Sequence, residues 1–218
     1  MNPKSKLNYV GKSVSRNDVV EKVLGTAKYI DDYNFEGMLY GATVRSTIPH
    51  GKIKSINTTK AKQIEGVVNI FTAKDIPGKN FFPMILNDYP FLAKDKVLFY
   101  GQPIALVVAE TQEIARLAAK SVYIEYEVLK PILDIHQAMQ KDAPKIYGKD
   151  NIFRKYTIKK GDIEKGFKEA DIIVEDVFET NYQVHAYLEP NGMVAVPEPD
   201  DGITLYGTMQ CPFYVHDA

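Results

Sequence analysis

Apolar positions along this chain fall into short runs divided by Gly, Pro and Asp/Asn breaks, and the spacing inside each run predicts an element. Residues 104–109 (IALVVA) are apolar throughout, the pattern of a strand covered on both faces. Thr111 then caps a helix whose face carries Ile114, Leu117, Ala118 and Ser121. Residues 122–128 alternate, with Val122, Ile124, Tyr126 and Val128 on one side and Glu125 and Glu127 on the other. This strand–helix–strand order predicts a crossover unit, right-handed if its strands are parallel. Upstream, Asn17 or Asp18 caps a short helix through Val19, Val20, Val23 and Leu24, stopped by Gly25. Residues 38–45 read as a strand, 52–57 alternate weakly, 59–64 read as a short helix ended by Gly66, and 67–72 read as a buried strand. Residues 75–95 hold Pro77, Gly78, Pro83 and Pro90 and read as a loop, packed through Phe81, Phe82, Tyr89 and Phe91. A loop of that length inside a domain is often functional.

The pattern weakens after residue 130, and Pro131, Pro144 and Gly148 mark a linker at 134–150. Beyond it, 153–158 reads as a strand and Asp162 caps a helix to Ala170. Residues 172–180 alternate as a long strand, and 193–196 with 203–208 form a hairpin. Interleaved strands and short helices predict an α+β fold. The expected division is 10–133, a linker at 134–150, and a second unit over 151–218 that is thin for an independent domain.

Composition adds exclusions. The chain has 218 residues, 45% hydrophobic and 25% charged, with a net charge of −1. That balance gives no electrostatic case for nucleic acid or an anionic membrane. The charge is uneven: residues 161–218 carry two lysines against 12 acids, while residues 1–79 carry 13 basic and 7 acidic side chains. The shift near residue 160 supports a boundary there. The single cysteine, Cys211, excludes an internal disulfide and a cysteine-built zinc or iron–sulfur site. No apolar run reaches the ~20 residues of a membrane helix. The first 18 residues lack a signal-peptide core, so a cytoplasmic location is expected.

Candidate chemistry is sparse. No phosphate loop, dinucleotide fingerprint or nucleophile elbow occurs. His50, His136, His185 and His216 are far apart in sequence and read as hydrogen-bonded structural residues. Glu189 reads as a buried carboxylate held by structural pairing. Cys211 reads as a small buried hydrophobe, with no basic neighbour to activate it. These residues alone support only a soluble α/β chain.

Several segments together resemble the molybdenum-hydroxylase large subunit, the xanthine dehydrogenase and aldehyde oxidase family. They are VVEKVLGTAKYIDD (19–32), GMLY (37–40), VRS (44–46), HGKI (50–53), GVV (66–68), AKDIPG with Asn80 (73–80), and the stretch from Leu92-Ala93 to YGQPIA (100–105). The second unit adds Gly161-Asp162 through Ala170-Asp171, YQVHAYLEP (182–190) and TMQCPF (208–213). No single piece is decisive, but their order and spacing run through nearly the whole chain.

The resemblance implies an α/β hammerhead domain over 10–133, followed by the beginning of a molybdopterin-binding domain. In that family a pterin-held molybdenum centre hydroxylates an sp² carbon with water as the oxygen source. A glutamate acts as base, and electrons leave through iron–sulfur clusters to flavin. Gln210 matches the glutamine that hydrogen-bonds the metal's oxygen ligand, and is the one cofactor-binding residue expected here. An amide suits this role because its NH₂ donates without adding charge. His185, Glu189 and Gln102 are given structural roles; no catalytic residue and no metal ligand is expected in this chain. The expected protein is part of a xanthine dehydrogenase-like enzyme acting on a purine-like heterocycle. Alternatives are the same scaffold acting on an aldehyde, nicotinate or carbon monoxide, or a non-catalytic assembly module. Its expected partners are the rest of the molybdopterin subunit and iron–sulfur and FAD subunits. The chain is expected to be a fragment, holding no cofactor and showing no turnover by itself.

Overall fold

The computed structural model describes residues 9–82 and 87–216; Pro83 of the expected loop lies outside them. In chain order the elements are α1 (Val19–Leu24), a 3₁₀ turn (Ile30–Asp32), β1 (Tyr40–Arg45), β2 (Gly51–Asn57), α2 (Thr59–Lys62), β3 (Val67–Thr72), β4 (Lys96–Val97) and β5 (Pro103–Ala109). Then follow α3 (Gln112–Ser121), β6 (Tyr123–Val128), α4 (Ile135–Ala138), α5 (Ile163–Glu169), β7 (Met193–Pro197), β8 (Ile203–Gly207) and α6 (Pro212–His216). Every described strand pairing is antiparallel, in sheets ordered β1-β5-β3 and β4-β2-β6 and a β7-β8 hairpin. The described residues form two compact units, one of 37–82, 87–184 and 214–216 and one of 9–36 with 185–213.

In the larger unit, β5 explains its own uninterrupted apolar run. Ala105 and Val107 join Val44, Ala61, Ile70 and Ala118 in one core, while Ile104 joins Ala93 and Val97 in a second. A strand that feeds cores from both faces must be apolar at consecutive positions. Thr111 caps α3 as expected, its Oγ1 accepting the Ile114 N–H at 3.2 Å. On α3, Ala118 is buried as expected, but Ala115 is buried too and Leu117 is 57% exposed. The small alanines let the helix backbone approach the sheet, and the leucine turns outward.

The crossover unit is not formed. β6 pairs antiparallel with β2, placing Tyr126 opposite Ile53 and Ile124 opposite Ile56, in a different sheet from β5. The reason lies in its alternation. With glutamates at every second position it presents one apolar face, which suits the half-polar β2 and not a doubly buried position. β3 is also less buried than its sequence suggests. It is an edge strand in which only Ile70 is buried and Val68 lies open.

The smaller unit ties the segment before β1 to the predicted hairpin. The Ile30 N–H donates to Glu189 Oε1 at 2.8 Å, so this half-buried carboxylate is paired with backbone, as its sequence setting suggested. Ile30 also packs over Gly192, where an added Cβ would lie 2.8 Å from its Cγ2. Tyr206 of β8 packs in a tilted arrangement against Tyr33 and Phe35, with ring centroids 4.8 and 5.9 Å apart. At α1, Gly25 closes the helix in the left-handed conformation, φ 72°. Asp18 sits at its N-cap position but pairs with Arg16 and Lys22, at 3.0 and 2.6 Å, and caps no helix N–H.

Two expected strands are absent among the described residues. Residues 153–158 and 172–180 run without a ladder, and Ile158, Ile172, Val174 and Phe178 are exposed. Alternation supplies a sheet face, but a strand also needs a neighbour for its N–H and C=O groups. No described strand lies alongside either segment. α5 between them forms as expected, with Asp162 Oδ1 accepting the Lys165 N–H at 3.1 Å.

Candidate functional site

The hairpin positions Gln210. β7 and β8 pair from Met193↔Gly207 to Pro197↔Ile203, and the Thr208 N–H then donates to the Gly192 carbonyl at 3.2 Å. This clamps the strand end two residues before Gln210. The Met209 and Met193 side-chain ends pack over Gly207, where an added Cβ would lie 2.8 Å and 3.1 Å from their Cε atoms. Gln210 occupies a bend between β8 and Pro212 and is exposed. Its side-chain amide makes no hydrogen bond to any described residue, so both N–H donors and the carbonyl oxygen are available. Gly207 gives no motif signal of its own, and Thr208 only opens the TMQCPF segment. Only the small residue at a strand end next to Met209 hints at close packing.

Cys211 and His185 belong to the same compact unit as Gln210, and His50 and Gln102 to the other. Cys211 is exposed, which corrects the expectation of a buried residue. It follows the same bend, where the chain turns outward before α6. His185 is exposed as well. His50 is buried, 4% exposed, with Nδ1 2.7 Å from the Lys130 carbonyl. A carbonyl only accepts, so Nδ1 carries the proton and His50 pins the start of β2 to the chain after β6. Gln102 is structural as expected: it is buried, its Oε1 accepts the Leu98 N–H at 2.7 Å, and it closes the turn before β5. Among the described residues, no three His, Cys, Asp or Glu side chains are placed to hold a metal ion.

The clearest perturbed carboxylate is Glu127 on β6, held down to about 2. The hydrogen bond from Lys54 is the main cause, followed by that from Lys52. The two ammonium groups lie 2.6 and 2.9 Å from its oxygens. The trio is open to solvent, so it reads as a solvated cross-strand charge cluster.

Two domain families match this chain. One, described as aldehyde oxidase and xanthine dehydrogenase, a/b hammerhead domain, covers residues 24–130. The other, the molybdopterin cofactor-binding domain, covers residues 146–218. The nicotinate dehydrogenase large molybdopterin subunit of Eubacterium barkeri is 39% identical over 94% of this chain and 48% of its own length. A probable xanthine dehydrogenase component of Bacillus subtilis is 41% identical over 87% of this chain and 25% of its own length. Among solved structures, the aldehyde oxidoreductase of Desulfovibrio gigas superposes with a TM-score of 0.79 at 32% identity, covering 88% of this chain and 23% of that one. The chain thus spans about half the length, or less, of these relatives.

Proposed function

Because the chain belongs to the xanthine dehydrogenase and aldehyde oxidase family of molybdenum hydroxylases, we propose that it contributes one wall of a molybdenum-cofactor site through Gln210. The observation carrying this reading is the unpartnered, exposed amide at the clamped end of the β7-β8 hairpin. The donor set fits this one contact. A neutral amide can donate to an oxygen on the metal without altering the charge of the site. The cofactor, when bound, supplies the oxygen-transfer and two-electron chemistry. Gln210 orients and holds a hydrogen bond.

The proposed domain layout is a hammerhead domain at 10–133, a linker at 134–150 and part of a molybdopterin-binding domain at 151–218. The proposed reaction is hydroxylation of an sp² carbon in a purine-like heterocycle. A second reading has its own support: a relative of which this chain matches nearly half the length is a nicotinate dehydrogenase large subunit. The proposed partners are the remainder of the molybdopterin subunit and chains bearing iron–sulfur clusters and FAD. Residues supplied by those parts complete the site, so the 218-residue chain does not turn over alone, and the working location is the cytoplasm. Among the described residues, no helix is long and apolar enough to cross a membrane.

The test is Gln210→Ala in the complex purified with this chain from its native cell, assayed with xanthine, nicotinate and an aldehyde. Molybdenum content should hold while turnover drops about 10–100-fold, the usual range for a residue hydrogen-bonded to a metal ligand. Unchanged turnover at full molybdenum loading would remove Gln210 from the site.

A further inference from the structure

The region matched by the hammerhead family, residues 24–130, contains a groove of about 940 Å³. Five successive residues of β1, 41–45, line it, so both faces of the strand reach the groove and its edge runs along it. Parts of α3 and β6 form the other walls. Among the described residues, β1 pairs only with β5. Every second residue of β1 therefore points its N–H and C=O outward, toward no strand, which is a template for a further one. No proline interrupts β1, and its one register shift against β5 comes at its end, between Val44 and Arg45. The charge along this edge is one-sided. Arg116 and Lys120 line the α3 wall one helical turn apart, and neither has a hydrogen-bond or ion-pair partner among the described residues. Arg45 adds a third cation, its Nη1 donating to the Gly101 carbonyl at 3.0 Å. No acidic residue lines the groove. Like charges at this helical spacing repel one another, so an anionic occupant relieves a cost that α3 already bears.

We propose that the free edge of β1 is a strand-acceptor site for an extended acidic segment of the polypeptide that completes the molybdopterin subunit. The inference rests on the reading above that such a polypeptide is a partner; this chain spans only 48% and 25% of two relatives, whose remainder is that further polypeptide. The incoming strand hydrogen-bonds to the outward groups of β1 and extends the β1-β5-β3 sheet to four strands. Because α3 packs on the sheet face that carries Val44, one face of the added strand meets α3 and only that face has to be acidic. Strand residues i and i+2 share a face about 6.6 Å apart. Arg116 and Lys120 lie about 6 Å apart along the helix. Two carboxylates at i and i+2 therefore match the two cations. Edge addition of this kind takes affinity from main-chain hydrogen bonds and specificity from alternate side chains.

The test uses the complex that purifies with this chain from its native cell. A zero-length carbodiimide joins a lysine amine to a carboxylate in contact with it, and mass spectrometry reads the joined peptides. Lys120 should be joined to an Asp or Glu of the further polypeptide that has a second acid two residues away. Hydrogen exchange of the same complex should be slow at every N–H of residues 40–45, including those that β5 leaves free. Arg116→Glu with Lys120→Glu should open the outward N–H groups to exchange and weaken retention of the further polypeptide about tenfold. Both side chains are exposed, so the circular dichroism spectrum should hold. Free exchange at alternate N–H groups of β1 in the intact complex overturns the proposal. So does a Lys120 that is joined to no carboxylate, or only to those of this chain. A cross-linked and protected edge in a complex without molybdenum would keep the docking site and remove the cofactor reading. Molybdenum with neither signal would do the reverse.

Discussion

Single side chains carry the sharpest consequences of this structure. Thr111 Oγ1 accepts the Ile114 N–H in the first turn of α3, so Thr111→Ala should cost about 1 kcal/mol in urea unfolding, and Thr111→Ser should recover most of it. Gln102 is buried, and its carbonyl satisfies the Leu98 N–H. Gln102→Ala strands that donor beside the second core and should cost about 1–3 kcal/mol. Glu127 acts through pH. Its carboxyl is held at about 2 in the folded chain against an ordinary value of 4.5, by Lys54 first and Lys52 second. Between those values the unfolded chain binds the proton more readily, so the stabilisation is complete above about 4.5 and is lost as pH falls toward about 2. Glu127→Gln should flatten the acid limb of melting temperature against pH in that window. The effect should be small and salt-sensitive, because the trio is solvent-exposed.

At the scale of elements, position in a sheet decided what a sequence pattern became. Ala118 packs in the first core between α3 and the sheet. Ala118→Leu should therefore cost about 1–3 kcal/mol by overpacking, although leucine is a good helix former. The strand β5, the cap and extent of α3, the hairpin and the glycine stop of α1 were all readable from local signals. Each depends on interactions within a few residues or on burial of one uninterrupted run. The crossover was misread because strand–helix–strand order does not say which sheet the second strand joins; that depends on β2, some 70 residues away. The face of α3 was legible at Ala118 and misread at Leu117, because helical spacing does not show that close approach favours alanine at 115. Residues 153–158 and 172–180 show the converse limit. Their alternation is genuine, but a ladder is a property of two strands, and one strand's sequence does not name its partner. The candidate site was less legible still. Nothing local to Gln210 separates it from any polar residue at a strand end, so its selection came from the family resemblance. The hairpin clamp and the free amide are what the structure adds.

For the whole molecule, the charge division and the family relationship lead to one picture. The last 58 residues carry a balance of −10 on a chain of net −1, and much of their apolar surface is uncovered, including Ile172, Val174, Phe178, Val184 and Leu188. Surface of that kind marks contact with further protein, in keeping with relatives several of which are much longer than this chain. Within the family, this chain supplies a hammerhead domain and part of a cofactor-binding domain. The most direct test of that account is molybdenum and pterin analysis of the complex that purifies with this chain from its native cell. The account predicts molybdenum and pterin together, in step with the amount of this chain across the purification. Recovery of the chain in a complex free of both would contradict it.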